Sequence, residues 1–219
     1  MIDRVAASGS IAATTERVRT VYRRGAPFYA VYRIVWSWLT RPIERELDAL
    51  FRERIGPGAR VLELGPGTGI NIVRLLREAP RFGAYLGIDA SESMLRRARR
   101  RAQGDARITL RVGDATDLAA VGGAFDLIVS TWMLSHLDAP ADAMRGALAK
   151  LAPGGTAVFV FLGRSSFAPL RWLLDAGGTV LRYRRLDAVP LADHSDLERT
   201  SHCTAGMARL MVFRRVQMK

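Results

Sequence analysis

Three acids, Glu63, Asp89 and Asp114, stand at or beside the ends of short apolar runs, and the first is followed by the glycine-rich stretch Gly65-Pro66-Gly67-Thr68-Gly69. Glycines let a backbone approach a ligand closely, and a helix starting after them offers unpaired N–H groups. A dinucleotide fingerprint counted from Gly65 requires a glycine at position 70, and Ile70 stands there. Glu63, two residues before the first glycine, would repel a pyrophosphate and favour a cation. Asp89 comes 20 residues after Gly69, at the end of the run 84–88, where an acid accepts from ribose hydroxyls. The pair fits an adenosine that carries positive charge better than one that carries phosphate.

Such residues must be held by strands and helices, and the hydrophobic pattern supplies them. Residues 61–64 read as a strand entering the glycine turn, with a helix over 70–78 after it. Further strands are predicted at 84–88, 108–112, 125–130 and 156–162. Ser91 is placed to cap a helix, and another spans 140–151 with Pro140 in its first turn. This alternation predicts a parallel sheet with right-handed crossovers, whose ligands gather at the strand C-terminal ends. Glu63, Asp89, Asp114 and residues 130–132 all fall at those ends. Beyond them come a helix over 167–174 and an antiparallel pair, 199–203 and 207–213, joined at Ala205-Gly206. Before them, residues 28–39 and 44–54 read as two helices, and Gly56-Pro57-Gly58 turns the chain into the first strand.

The chain of 219 residues, 49% hydrophobic and 25% charged, has the composition of one globular domain. It divides into an N-terminal helical region, 1–55, and a core, 56–219. A single cysteine, Cys203, excludes an internal disulfide and points to a reducing compartment. No apolar run has the length of a spanning helix, and no zinc spacing or other metal motif is present. A cytoplasmic protein is expected, with a peripheral position at the inner membrane face as a further option. The net charge of +12 is almost entirely arginine and invites an anionic partner. Against a nucleic acid, the run Arg96, Arg97, Arg99, Arg100 and Arg101 has no interleaved aromatics for base stacking and reads as a solvated face.

These landmarks together resemble the class I S-adenosylmethionine-dependent methyltransferases, including their ubiquinone/menaquinone and phospholipid N-methyltransferase branches. Residues 63–69 resemble the family's first motif, 87–95 its ribose motif and 113–115 its adenine motif. Residues 125–130 and 151–155 are similar to its fourth strand and the turn before its fifth. The resemblance implies a Rossmann-like α/β sheet of seven strands, parallel except for a C-terminal antiparallel strand, under an N-terminal helical lid. It implies S-adenosyl-L-methionine as cofactor and S-adenosyl-L-homocysteine as product. Glu63 would hold the amino acid end, Asp89 and Ala90 the ribose, and Asp114 and Ala115 the adenine, with Gly65, Gly67, Thr68, Gly69, Met94 and Thr131 around them. Tyr22 and Tyr29 resemble the family's N-terminal tyrosine pattern, although Ala30 replaces its aspartate; Tyr22 is a cofactor candidate and Tyr29 a catalytic one.

Transfer from a sulfonium is an in-line displacement by an already activated donor, so the protein mainly positions the acceptor and excludes water. A hydroxyl or ammonium acceptor also needs a base. His136, after the fourth strand, is the candidate, with a structural role as its alternative. His194 and His202 read as surface or packing residues, and Cys203 as an inert thiol. The aromatic helix 28–39, flanked by Arg33, Arg41 and Arg45, reads either as a packed lid or as an insertion into an anionic bilayer. A lipophilic or membrane-associated acceptor, such as a phospholipid amine, is therefore expected, and a natural-product or quinone-type hydroxyl is the alternative. Two readings of other classes are a nucleic-acid methylase and a non-catalytic cofactor-binding protein. Ser130-Thr131-Trp132-Met133 departs from the Asn/Asp-Pro-Pro-Tyr/Phe set of base-amine methylases.

Overall fold

The computed structural model describes residues 26–169, 171–172, 186 and 197–215, with side chains from Trp36 onward. Its elements are α1 (Ala26–Arg54), β1 (Arg60–Leu64), α2 (Ile70–Glu78), β2 (Ala84–Asp89), α3 (Glu92–Ala102) and β3 (Ile108–Val112). They continue with β4 (Phe125–Thr131), a 3-10 turn (Met133–His136), α4 (Pro140–Leu148), β5 (Leu151–Leu162), β6 (Leu197–Cys203) and β7 (Ala208–Arg214). The seven strands lie in the order β3-β2-β1-β4-β5-β7-β6. β1 to β5 pair in parallel, and β7 runs antiparallel to both β5 and β6. The Rossmann-like seven-stranded sheet expected from the sequence is the sheet found.

A strand sends alternate side chains to opposite faces, so each central strand divides its residues between two cores. Val61, Leu127, Val129, Val158 and Val160 pack with Ile43, Leu47 and Phe51 of α1 and Ile72 and Leu75 of α2. Leu62, Leu64, Ile128, Phe159 and Phe161 pack with Ala143, Met144 and Ala147 of α4. Glu63 alternates with Leu62 and Leu64, and Thr131 follows Leu127 and Val129 by the same period. Both acid and hydroxyl therefore lie on the α1/α2 face.

Two expectations are corrected. The helices foreseen at 28–39 and 44–54 are one helix of 29 residues that runs through Pro42. An interior proline removes one N–H and crowds the carbonyl four residues back, at about 3 kcal/mol. Burial of Ile43, Leu47, Leu50 and Phe51, all at most 1% exposed, offsets it. Second, β5 begins at Leu151 and not at 156. Leu151 pairs with Phe125 before the register shifts, and Gly154, at φ 78°, lies in the shift. The expected turn 151–155 is thus an irregularity inside a strand. The chain separates into two compact units, Met1–Arg41 and Pro42–Lys219.

The helix foreseen at 167–174 lies partly outside the described residues; within them the Arg171 N–H donates to the Phe167 carbonyl at 3.0 Å. Ser130, fully buried in β4, has a hydroxyl with no hydrogen-bond partner among the described residues. A buried, unmatched hydroxyl destabilises by about 1–3 kcal/mol. Ser130→Ala is therefore expected to leave stability unchanged or raise it by about 1 kcal/mol. Urea unfolding checks this, and a loss above that size would show that the hydroxyl has a partner.

Candidate active site

The turn after β1 is shaped by its glycines. Gly65, Gly67 and Gly69 have φ of 71°, 53° and 83°, the left-handed region that side chains disfavour. A Cβ at Gly69 would stand 2.9 Å from Ala98 Cα, which brings α2 against α3, whereas a Cβ at Gly67 would meet nothing within 4 Å. The open space thus lies over Gly67, the middle of the turn. At Gly65 a Cβ would meet Met133 Cβ at 2.8 Å, so the segment after β4 closes on the first glycine.

Asp89, at the end of β2, faces this turn. One of its carboxylate oxygens accepts from the Gly67 N–H at 2.9 Å and the other from the Ser91 N–H at 2.8 Å. Ser91 in turn caps α3 by accepting from the Met94 N–H. Ala90 is exposed and Met94 half-buried beside them. Asp114, beyond the end of β3, accepts on one oxygen from the Thr116 N–H and hydroxyl at 2.8 and 2.7 Å, and Ala115 is buried next to it. Thr68 is held from outside the turn, where Arg101 donates to its carbonyl and hydroxyl oxygens at 3.1 and 3.0 Å. Arg99 is paired with Glu92 at 2.5 Å, so two of the five arginines read as a solvated face have partners.

Glu63, next to last in β1, is enclosed by its neighbours. It is 1% exposed, and both oxygens are taken inside the protein. Asn71 Nδ2 donates to one at 2.7 Å, and the Tyr85 hydroxyl donates to the other. The same Asn71 amide donates to Thr131 Oγ1 at 3.1 Å, tying the end of β4 to the end of β1. Arg74, one helical turn further along α2, donates to Asn71 Oδ1, to Asp48 at 2.6 Å and to Glu44. Burial pushes the Glu63 carboxyl up to about 7, against the opposing effect of its two hydrogen bonds. The Tyr85 hydroxyl is driven well above its ordinary value, first by burial, and stays protonated.

Sequence reasoning missed Asn71, Tyr85 and Arg74 altogether. The available signal was three polar groups on a face otherwise filled by Val61, Ile72, Leu75 and Val129. After β4, Trp132 adopts φ 66° and its N–H donates to the Val160 carbonyl at 2.7 Å. Ser135 is buried and accepts from the Leu162 N–H at 3.0 Å, which fixes the 3-10 turn to β5. His136 closes that turn and is exposed; His202 is exposed on β6. Tyr22 and His194 lie outside the described residues, as does the side chain of Tyr29. Burial also pushes the Cys203 thiol up, away from the nucleophilic form.

The sheet order, the glycine turn and the acid-tipped neighbouring strands define a class I methyltransferase domain. Residues 61–155 match the family model described as a methyltransferase domain. The chain is 34% identical over 155 residues to malonyl-[acyl-carrier protein] O-methyltransferase of Geobacter sulfurreducens, covering 71% of this chain and 56% of that one. It is 36% identical over 116 residues to ubiquinone biosynthesis O-methyltransferase of Xanthomonas campestris, covering 51% and 46%. The chain thus spans about half the length of these curated relatives. An S-adenosylmethionine-dependent methyltransferase of Mesorhizobium loti shares the fold, with a TM-score of 0.61 at 22% identity over 78% of this chain and 96% of that one. Residues 61–155 are a class I S-adenosylmethionine-dependent methyltransferase domain, similar to those of the quinone and O-methyltransferase branches.

S-adenosyl-L-methionine is the cofactor that goes with this domain, and the donor set suits it. Carboxylates stand at the end of β2 and just beyond β3, and the middle of the turn is open at Gly67. Among the described residues no helix is long and apolar enough to cross a membrane.

Proposed function

We propose that the chain methylates an oxygen of a small acceptor, a quinone-type phenol above all. The observation that carries this reading is the donor site: a glycine turn anchored by Asp89 at the carboxyl edge of a sheet whose two named relatives are both O-methyltransferases. The phospholipid amine foreseen from the aromatic helix gains no such support, and the hydroxyl alternative replaces it as the main reading. Bound in the site, the cofactor supplies an activated methyl group on a sulfonium. Asp89 holds the ribose and Asp114 the adenine, while Gly67 leaves room for the backbone to follow the nucleoside. Trp132 and Met133 stand between the turn and the acceptor side and keep water from the reacting atoms. His136, on the exposed rim, takes the phenol proton. An ordinary phenol loses its proton near pH 10, so a base near neutrality has a definite task.

The test offers labelled cofactor to three acceptors in parallel: an alkyl catechol, a short acyl thioester bearing a free carboxylate, and vesicles of an aminophospholipid. Label on the catechol oxygen supports the reading. Label on the carboxylate alone would move the acceptor to a carrier-linked acyl chain, and label on the lipid amine alone would overturn oxygen transfer.

A further inference from the structure

Among the described residues Glu63 is the buried acid, and the groups that touch it are neutral: an amide from Asn71 and a hydroxyl from Tyr85. A buried ionised carboxylate without a contacting cation is costly, and a proton or an incoming positive charge relieves it. Arg74 favours the ionised form from a distance without contacting it, and the arginines of this cluster are shared with other acids. Arg74 is bound to Glu44 and Asp48, and Arg77 meets Asp48 at 2.9 Å and Glu78 at 2.6 Å. Asp89 on β2 adds a further negative charge on the site's side, and Thr131 on β4 is uncharged. Ionising Glu63 would thus leave this end of the sheet short of positive charge. Its geometry is meanwhile rigid, because the Asn71 amide that holds it also holds Thr131 at the crevice edge.

We propose that Glu63 reads the charge of the bound nucleoside: it passes its proton to the buffer when the sulfonium donor binds and keeps it when the neutral thioether product occupies the site. Glu63 is in this sense a positioning residue, acting through Asn71 and through the field at the strand ends, and not by touching the reacting atoms. The device favours donor over product at the same set of contacts, and it rests on the reading that the cofactor lies at those ends. Burial pushes the group up to about 7, so the exchange falls near neutrality.

The experiment is calorimetric titration of the whole chain with S-adenosylmethionine and with S-adenosylhomocysteine from about pH 6 to about pH 8.5, in two buffers of different ionisation heat. The α-amino group, which titrates at about 7.7–8.0 when free, is common to both ligands and cancels in their ratio. The donor-to-product affinity ratio is expected to rise about tenfold over this range, one unit of differential shift. Proton release should be larger for the donor and fade at the upper end. Glu63→Gln should flatten the ratio. Tyr85→Phe, which removes one donor to the carboxylate and keeps the volume, should move the midpoint upward even where Glu63→Gln folds poorly. A flat ratio in the unaltered chain, or the same slope in Glu63→Gln, overturns the proposal while leaving cofactor binding intact. Absence of binding by either nucleoside at every pH overturns the functional reading and the proposal together.

Discussion

Asp89→Ala is expected to weaken S-adenosylmethionine binding by at least about 100-fold, because in the proposed site the carboxylate would serve the protein and the ligand at once. Charge-assisted hydrogen bonds contribute about 1.5–3 kcal/mol each, and the ribose would lose two of them, which converts to a factor of this order. The same substitution releases the Gly67 and Ser91 N–H groups that Asp89 holds at 2.9 and 2.8 Å. The glycine turn then loses its anchor to β2. Titration calorimetry measures the affinity, and thermal unfolding separates it from stability, since the affected backbone groups lie where water can replace the lost acceptor. Retention of affinity within about threefold, half a pH unit's worth of free energy, would remove Asp89 from the ligand shell.

Arg74→Met is expected to lower the unfolding free energy by about 1.5–3 kcal/mol, the range of a hydrogen bond to a charged group, because Arg74 is buried while Glu44 and Asp48 remain partly in water. Arg74 is 6% exposed, packs over the Phe51 ring at 5.7 Å and donates to groups on both α1 and α2. Its loss strands Glu44 and Asn71 without their donor, whereas Asp48 retains Arg77. Arg74→Lys should recover little of this, because one ammonium cannot reproduce a planar fork that spans three acceptors. Urea unfolding with an unchanged slope is the readout. A loss under about 1 kcal/mol, the range of exposed pairs, would mean that water reaches the cluster.

The parts of this molecule legible in its sequence are those in which a local pattern and the tertiary outcome coincide. α2 and β3 have the predicted bounds, because apolar periodicity and the glycine at Gly69 mark their ends. Ser91 reads as a cap and is one. Pro42 misleads because a local rule meets a tertiary one: the proline destabilises a helix interior, and the core contacts of Ile43, Leu47 and Phe51 prevail. The segment 151–155 misleads for a related reason, since proline and glycines read as a turn while Leu151 still pairs with Phe125. At the site, Asp89 is legible from its distance to the glycines. The burial of Glu63 is not, because the residues that enclose it, Asn71 and Tyr85, come from two other elements and carry no motif of their own.

β7 lies between β5 and β6, and among the described residues β6 has no other neighbour in the sheet. As the chain leaves the ribosome, residues 197–203 therefore emerge before the strand they must pair with, and β5 presents an open edge until residues 208–214 follow. Sheet closure in this protein waits on β7, and the interval before it is when a nascent chain with Val158, Val160 and Phe161 on that edge strand is most exposed to wrong partners.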